Sequence, residues 1–264
     1  MKKIECVIMD WAGTAVDYGC FAPVAAFMES FKRIEMPVTV EDIRAHMGLT
    51  KIEEIRALLN MPKVEECFIQ KNGRSYNDKD IQDCYITFQH VLFTILEDFS
   101  KPIPGVVETI SGLREKGLKI GSTTGYTRQM MDVVIAASEQ YGYKIDNCVT
   151  SDCLSGGRPN PYMIYQNMCD LAISSRFSVV KCGDTISDIK EGINAGVWSI
   201  GVVLGSNELG LTENEVNVMS SEELKKRMAI VRNRMYAAGA HYVINEIGEL
   251  PSLIECINMR MANE

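Results

Sequence analysis

The sequence has no long hydrophobic run and no excess of positive charge, and each absence excludes a class of protein. No apolar run approaches the roughly 18 residues that a membrane-spanning helix requires, although 46% of the residues are hydrophobic. Lys and Arg number 27 against 35 for Asp and Glu, which gives a net charge of -8. An acidic chain is repelled by nucleic acid and by anionic membranes, so neither is an expected partner.

A secretory signal and a zinc-type or redox-type cysteine pattern are also missing. The chain begins Met1-Lys2-Lys3, but Glu5 and Asp10 interrupt the apolar stretch that follows, so no export signal is predicted. None of the nine cysteines forms a CxxC pair or lies at zinc-ligand spacing from a histidine. We therefore expect a cytoplasmic protein in which most cysteines are reduced and buried.

Short apolar runs alternate with helical patterns along most of the 264 residues. Most of these runs are continuously apolar, which is typical of parallel strands that helices cover on both faces. The predicted strands are Ile4 to Met9, Leu118 to Gly121, Cys148 to Thr150, Val179 to Cys182, Ser199 to Leu204 and Tyr242 to Ile244. The pattern predicts an α/β fold with an open, doubly wound, mainly parallel sheet of the Rossmann-like type.

Residues 21 to 100 break this alternation and contain no convincing strand. The clearest helix in this stretch carries an apolar stripe at three- and four-residue spacing, which is typical of a helix packed against its neighbours. The stripe includes Ile81, Cys84, Phe88, Leu92 and Phe99. We predict a core domain formed by residues 1–20 and 101–264, with an all-helical cap domain inserted over residues 21–100.

Chemically reactive side chains follow three of the predicted strands. Asp10 follows the first strand, Thr124 follows the second, and Asp184 and Asp188 follow the fourth. Ligands of open α/β sheets bind outside the carboxyl ends of the strands, so we expect these side chains to converge. Carboxylates held close together need a cation between them, and Mg²⁺ fits best because it is a hard ion that prefers oxygen ligands.

The order of these motifs along the chain is more specific than any one of them. The order is Asp10-x-x-Gly13-Thr14, a helical insert, Thr124, and then Gly183-Asp184-x-x-x-Asp188. With this order the chain resembles the haloacid dehalogenase-like superfamily over essentially its whole length.

The resemblance implies a role for each of these residues. Asp10 would be the nucleophile that accepts the phosphoryl group as an aspartyl-phosphate. Mg²⁺ would be bound by Asp10, Asp184 and the carbonyl oxygen of Ala12. Thr124 would bind the phosphoryl oxygens, and Asp188 would support the metal and its water.

Two departures from the phosphatases of this superfamily narrow the chemistry. Phosphatases usually carry a second Asp two residues after the nucleophile, where it protonates the departing alkoxide, and this chain has Ala12 there. Loss of general acid catalysis costs about 10²- to 10⁴-fold in rate, so either the site is inactive or the leaving group needs no proton from this position. The usual Lys near the third strand is also missing there, and Arg158 offers a guanidinium that can grip two oxygens at once.

A narrower resemblance explains both departures. Three stretches resemble the phosphonatase family, whose members cleave phosphonoacetaldehyde: Met47-Gly48-Leu49-Thr50-Lys51, Gly121 to Arg128, and Gly156 to Pro159. The family implies that Lys51 forms a Schiff base with the aldehyde and that Asp10 attacks phosphorus. The carbon–phosphorus bond then breaks without forming an alkoxide, so Ala12 is tolerated. The family also implies a homodimer formed through the cap.

The same resemblance assigns further residues to the site. Thr124, Gly125, Arg158 and Gly48 are assigned to the binding of substrate and its phosphoryl group. Cys20, Met47 and Tyr126 are expected to surround Lys51. The family commonly has a His three residues after this lysine, and here Glu54 takes its place. A carboxylate there favours the charged amine, so proton transfer at Lys51 is expected to differ from that of the family.

Two other readings remain open from the residues. In the first, the chain is a magnesium-dependent phosphatase of a small phosphorylated metabolite, in which Lys51 only neutralises charge. In the second, it is a catalytically inactive binding module of the same fold. Ala12 argues against the phosphatase. Only a measurement of catalytic activity distinguishes the inactive binding module from an enzyme.

Overall fold

The computed structural model describes residues 3–263 and contains a single six-stranded sheet. The strands are β1 (Cys6–Met9), β2 (Lys119–Thr124), β3 (Asn147–Thr150), β4 (Val179–Gly183), β5 (Trp198–Val202) and β6 (Tyr242–Ile244). Their order across the sheet is β3-β2-β1-β4-β5-β6, and every neighbouring pair is parallel. All residues of β1 and β4 are buried, as expected for central strands that helices cover on both faces.

Twelve α-helices accompany the sheet in the described part of the chain. They are α1 (Phe21–Arg33), α2 (Val40–Arg44), α3 (Lys51–Leu59), α4 (Pro62–Asn72), α5 (Asp78–Ile95), α6 (Val106–Glu115), α7 (Arg128–Glu139), α8 (Tyr162–Asp170), α9 (Ile186–Ala195), α10 (Glu213–Val218), α11 (Ser221–Ala237) and α12 (Leu250–Asn263). The doubly wound α/β prediction is confirmed.

The five helices α1 to α5 form the insert between β1 and β2, and residues 21–100 contain no strand. Thr39, Thr50 and Asn77 begin α2, α3 and α5 with reciprocal capping boxes, which satisfy backbone N–H groups that the helix itself leaves unpaired. Phe27 of α1 packs on Phe88 of α5 with ring centroids 4.3 Å apart. The inserted helical cap is therefore present, and its exact limits at residues 21 and 100 stay a prediction.

Several strand limits differ from the predicted ones. β1 begins at Cys6 and not at Ile4, and β5 ends at Val202 and not at Leu204. The largest difference is in β2, where polar residues join the sheet. β2 continues to Thr124 because Thr123 and Thr124 pair with Val149 and Thr150 of β3. These threonines are fully or almost fully buried, so their polar character hid them from a prediction based on apolar runs. The extension brings Thr124 to the very end of the sheet, beside the residues that follow β1.

The cysteine expectation is wrong in one respect. All nine cysteines are free, but only Cys6, Cys20, Cys84 and Cys182 are buried. Cys153, Cys169 and Cys256 are exposed to solvent. Within residues 3–263, no helix combines the length and apolar character needed to cross a membrane.

Candidate active site

The candidate site lies at the carboxyl ends of the central strands. Asp10 directly follows β1, Thr124 ends β2, and Asp184 directly follows β4. The chain runs from β1 outward to β2 and β3 on one side and to β4, β5 and β6 on the other, so the strand order reverses between β1 and β4. A crevice at such a reversal is where open α/β sheets bind their ligands.

Three buried carboxylates meet at this reversal. One oxygen from each of Asp10, Asp184 and Asp188 lies within 4.8 Å of the other two. Burial, reinforced by the neighbouring carboxylates, raises the pKa of both Asp10 and Asp184. Burial acts on Asp188 too, but the charges of Arg158 and Lys181 outweigh it and lower the pKa of that carboxyl. A divalent cation between Asp10 and Asp184 would offset their repulsion, so the donor set suits one.

Hydrogen bonds fix the direction of the Asp184 carboxylate. Thr14 Oγ1 donates to Oδ1 at 3.2 Å, and the backbone N–H of Asn207 donates to Oδ2 at 2.7 Å. Gly13 makes room for this arrangement, because a Cβ at position 13 would lie 2.2 Å from Oδ2. Gly13 also has φ +91°, which favours glycine. The Asp-x-x-Gly-Thr motif thus shapes the environment of a carboxylate on another strand.

Arg158 reaches the nucleophile position from the loop after β3. Its Nη2 donates to Asp10 Oδ1 at 2.7 Å and to the Thr123 carbonyl oxygen at 2.8 Å. Its Nε donates to Glu191 Oε2 at 3.0 Å. These bonds hold a guanidinium that is only 3% exposed against Asp10.

Lys181 and Glu191 lie behind the site and were not found by sequence reasoning. Lys181 Nζ lies 2.8 Å from Asp188 Oδ1, and Thr123 Oγ1 donates to Glu191 Oε2 at 3.0 Å. Both charged side chains are fully buried. The available signal was Lys181 itself, because a charged residue inside an apolar strand needs a buried partner.

The charges of this cluster do not balance. Its ionisable members are Asp10, Asp184, Asp188, Glu191, Arg158 and Lys181. When all are ionised, four carboxylates face two cations, which leaves an excess of two negative charges in a buried region. This excess equals the charge of one divalent cation, and it makes an uncompensated site costly.

Lys51 approaches from the insert, as the first residue of α3. Its ammonium Nζ donates to Glu54 Oε2 at 2.8 Å and to Oε1 at 3.0 Å. The rings of Phe27 and Tyr126 lie with their centroids 5.5 Å and 5.8 Å from Nζ. Burial raises the pKa of Glu54, although the Lys51 charge opposes the shift. Phe27 was not predicted as part of this surrounding.

The turn before α3 rests directly on the core. The backbone N–H of Gly48 donates to Glu54 Oε1 at 2.9 Å. Gly48 has φ +95°, and a Cβ there would lie 2.6 Å from Thr185 Oγ1 at the start of α9. A side chain at position 48 would therefore both strain the turn and push the insert off the core.

One small cavity collects most of the predicted site residues. Eleven of them line it: Asp10, Ala12, Cys20, Met47, Gly48, Lys51, Thr124, Gly125, Tyr126, Arg158 and Asp184. Glu54 and Asp188 lie outside the lining and contact it through Lys51 and Arg158. Pro23 and Thr185 also line the cavity and were not predicted. The structure thus brings a lysine of the insert and two carboxylates of the core to one cavity.

Comparisons with known proteins agree with this geometry. A family model described as haloacid dehalogenase-like hydrolase matches residues 7–202. Phosphonoacetaldehyde hydrolase of Bacteroides fragilis is 54% identical over 261 residues, which are 99% of each chain. The enzyme of the same name from Bacillus cereus strain G9842 is 49% identical over 97% of each chain.

A solved structure extends the comparison to three dimensions. It is that of a phosphonoacetaldehyde hydrolase-like protein from Oleispira antarctica, with a TM-score of 0.96 and 35% identity. The match covers 98% of this chain and 94% of that one. The chain therefore belongs to the haloacid dehalogenase-like hydrolases and, within them, to the phosphonoacetaldehyde hydrolase family.

Proposed function

We propose that this chain hydrolyses the carbon–phosphorus bond of phosphonoacetaldehyde to acetaldehyde and phosphate, with Asp10 as nucleophile and Lys51 as the Schiff-base amine. The observation that carries the proposal is that the buried side chains of Asp10 and Lys51 line the same cavity. Lys51 comes from the helical insert and Asp10 from the end of β1. A substrate with an aldehyde at one end and a phosphonate at the other has one reactive group for each of these two side chains.

The reaction begins at the amine. Lys51 Nζ adds to the aldehyde carbon, and loss of water leaves a protonated imine. A carboxylate oxygen of Asp10 then attacks phosphorus, and the electrons of the carbon–phosphorus bond move into the iminium to form an enamine. The enamine is protonated at carbon, and water hydrolyses both the imine and the aspartyl-phosphate. Acetaldehyde, phosphate and the free side chains result.

Ala12 distinguishes this reaction from ester hydrolysis. A phosphate ester releases an alkoxide, which needs a proton donor close to the nucleophile. Cleavage into an iminium produces no alkoxide, so a methyl group at position 12 has no catalytic cost. The half-buried Ala12 lines the cavity beside Asp10 and offers no acid there.

Binding of the phosphonate is assigned to Thr124, Gly125 and Arg158. Thr124 Oγ1 accepts a hydrogen bond from the Tyr126 N–H at 3.0 Å, which leaves its hydroxyl hydrogen for a substrate oxygen. Arg158 uses Nε and Nη2 for the protein contacts described above, so Nη1 is the nitrogen we assign to the substrate. Gly48 lines the cavity, while its own N–H is donated to Glu54.

The proposal includes Mg²⁺, held by Asp10, Asp184 and the carbonyl oxygen of Ala12, with Asp188 in support. The observation that favours a divalent ion is the close approach of three buried carboxylates, whose oxygens lie within 4.8 Å of one another. When bound, Mg²⁺ would supply the positive charge that lets a dianionic substrate approach a carboxylate. Asp184 is already oriented for this role by Thr14 and Asn207.

We assign Glu54 as the group that accepts the proton of Lys51. Its carboxylate contacts Nζ directly and is 1% exposed, so no bulk water competes for the proton. Lys51 must lose a proton before it attacks the aldehyde, and Glu54 is the base within hydrogen-bond distance. Cys20, Met47 and Tyr126 line the same cavity as the amine, and we assign them to limiting the access of water.

The proposal extends to a cytoplasmic enzyme that forms a homodimer through the insert. Exposed apolar side chains on α4 and α5 favour an interface there, since Ile69 is 41% exposed and Ile86 is 61% exposed. Sedimentation of the purified protein and of an Ile86→Lys variant tests the dimer.

The deciding experiment measures phosphate release from phosphonoacetaldehyde and from a panel of phosphate monoesters, with and without Mg²⁺. We expect Mg²⁺-dependent release from phosphonoacetaldehyde and little from the esters. The Lys51→Arg variant serves as the control, because a guanidinium stays protonated and cannot form the imine. Equal hydrolysis of esters and phosphonoacetaldehyde, unaffected by Lys51→Arg, would favour the phosphatase reading. No release from any substrate would favour the binding module.

A further inference from the structure

A chain of hydrogen bonds joins the insert to the proposed metal site without passing through the cavity. Asn207, in the loop after β5, donates its backbone N–H to Asp184 Oδ2 at 2.7 Å. Its side-chain amide exchanges two hydrogen bonds with Arg44: Arg44 Nη1 donates to Oδ1 at 3.0 Å, and Nδ2 donates to the Arg44 carbonyl oxygen at 3.1 Å. Asn207 is 2% exposed.

Arg44 is itself held from several sides. It is the last residue of α2, and its Nη1 also donates to the Gly19 carbonyl oxygen at 2.8 Å, in the segment that leads into the insert. Its guanidinium lies over the Phe21 ring, 4.8 Å from the centroid. A side chain at position 210 would crowd the guanidinium, because its Cβ would lie 3.1 Å from Arg44 Nε, and glycine avoids this contact. The position of Arg44 therefore depends on how the insert sits on the core.

Neither Arg44 nor Asn207 lines the cavity, and the mechanism above uses only the backbone N–H of Asn207 and makes no use of Arg44. They nevertheless determine the surroundings of Asp184, because the second oxygen of that carboxylate is oriented by the Asn207 N–H. Groups that hydrogen-bond to a metal ligand fix its direction and commonly change metal affinity by about 10- to 100-fold.

We propose that Arg44 is a positioning residue for the metal site, acting through Asn207 to hold Asp184 in the orientation that binds Mg²⁺. This inference rests on the proposed metal-binding role of Asp184. It follows that seating of the insert and binding of the metal stabilise each other, because coupling between two equilibria is reciprocal. The insert would then have two functions in the reaction: it supplies Lys51, and through Arg44 it positions a metal ligand.

If Arg44 positions Asp184, its removal should weaken metal binding, whereas electrostatics alone predicts stronger binding. Loss of a positive charge from the neighbourhood of a cation site strengthens binding of that cation. Weaker metal binding after substitution of Arg44 therefore reports lost positioning and not lost charge. The sign of the change separates the two explanations.

The experiment titrates Mn²⁺, a spectroscopic substitute for Mg²⁺, into the metal-free protein and follows free Mn²⁺ by electron paramagnetic resonance. Arg44→Met and Asn207→Ala should each weaken binding by about tenfold. The double variant should bind no more weakly than either single one, because both changes break the same link. Arg33→Met, at an exposed residue of α1 whose side chain pairs with Glu29, should bind as the wild type does.

Several outcomes would overturn the inference. Mn²⁺ affinity of Arg44→Met equal to or higher than that of the wild type would remove Arg44 from metal positioning. Fully additive losses in the double variant would show that Arg44 does not act through Asn207. If Arg44→Met does not fold, Asn207→Ala alone must still weaken binding. Absence of Mn²⁺ binding by the wild type would instead overturn the proposed metal site, and this inference with it.

Discussion

Lys51 and Glu54 form a buried ion pair within one turn of α3, with Nζ 2.8 Å from Oε2. The two side chains are 5% and 1% exposed, so neither charge is solvated by bulk water. Lys51 is the first residue of the helix, where the positive end of the helix dipole disfavours an ammonium. Glu54 offsets both penalties. The pair therefore keeps Lys51 beside a buried counter-ion at the edge of a cavity that Asp10 and Arg158 also line.

The Glu54→Gln variant tests this function of the pair. Removing the carboxylate takes away the counter-ion of Lys51 and the group we assign as acceptor of its proton. We expect imine formation to slow by about 10²- to 10⁴-fold, the usual contribution of a positioned base. The rate of borohydride trapping of the adduct measures the change. Glu66→Gln, at an exposed position of α4, is the matched control and should leave the rate unchanged. An unchanged rate in Glu54→Gln would contradict the assignment.

The Lys51→Arg variant tests the Schiff base itself. Borohydride added with phosphonoacetaldehyde should inactivate the wild type irreversibly and leave a two-carbon adduct on Lys51, located by peptide mass analysis. Lys51→Arg should lose both labelling and turnover, because a guanidinium cannot serve as the amine nucleophile. Lys63→Arg, which changes an exposed lysine of the same insert, should keep both. Labels spread evenly over surface lysines would remove the imine from the mechanism.

The sheet could be predicted from the sequence because its strands are buried on both faces and read as uninterrupted apolar runs. The carboxylate side of the site could be predicted because parallel strands bring their carboxyl ends to one edge, so Asp10, Thr124 and Asp184 had to converge. The place of Lys51 in the site followed from the resemblance to the phosphonatase family and not from topology. The insert was recognised by the loss of that alternation. These features depend on local pattern and on topology, which a sequence carries directly.

The supporting contacts could not be predicted in the same way. Glu191 lies on an amphipathic helix with no special spacing, and its burial is decided by where α9 packs on β4. Phe27 approaches Lys51 only because of how the helices of the insert, α1 and α3 among them, are arranged relative to one another. Asn207 reaches Asp184 through its backbone N–H, a group that every residue except proline carries. Such contacts depend on the relative placement of distant segments.

Removal of the metal or of the Asp10 charge should stop turnover. Asp10→Asn lacks the nucleophile, and chelation leaves the dianionic substrate facing uncompensated carboxylates. Added Mg²⁺ should also raise the melting temperature of the metal-free wild type, since an ion at 100 times its dissociation constant adds about 2.7 kcal/mol of stability. Phosphate release and thermal unfolding measure the two effects. Asp83→Asn, at an exposed residue of α5, is the control. Full activity without metal would contradict the metal site.

Lys181 should be essential to stability because it neutralises buried carboxylates. Lys181→Met keeps the approximate volume but leaves Asp188 and Glu191 with only Arg158 as a cation. Breaking a buried pair by removing one partner typically costs about 3–5 kcal/mol. Urea unfolding of the metal-free protein measures the loss. Adding Glu191→Gln to Lys181→Met should recover part of it, and a double variant less stable than Lys181→Met would show that charge balance is not the cause.

Asp17 gives the protein a stability that depends on pH. Its carboxylate accepts hydrogen bonds from the backbone N–H groups of Phe21 and Ala22, both at 2.9 Å, at the start of α1. Burial nevertheless raises its pKa to about 6, against the effect of these bonds and of Arg44. In the unfolded chain an Asp titrates near a pKa of about 3.9. Between these two values the folded protein holds a proton that the unfolded chain has released.

The sign of the effect follows from this difference. The stability due to protonated Asp17 is complete below about pH 4 and is lost as the pH rises through about 6, by up to about 3 kcal/mol. Asn cannot ionise, so the free energy of unfolding of the wild type minus that of Asp17→Asn should fall over this range. Urea unfolding of both proteins at several pH values measures the difference, in which the contributions of other groups cancel. A difference that rises with pH would mean that the two N–H donors and Arg44 outweigh burial, and that Asp17 is held as a carboxylate to begin α1.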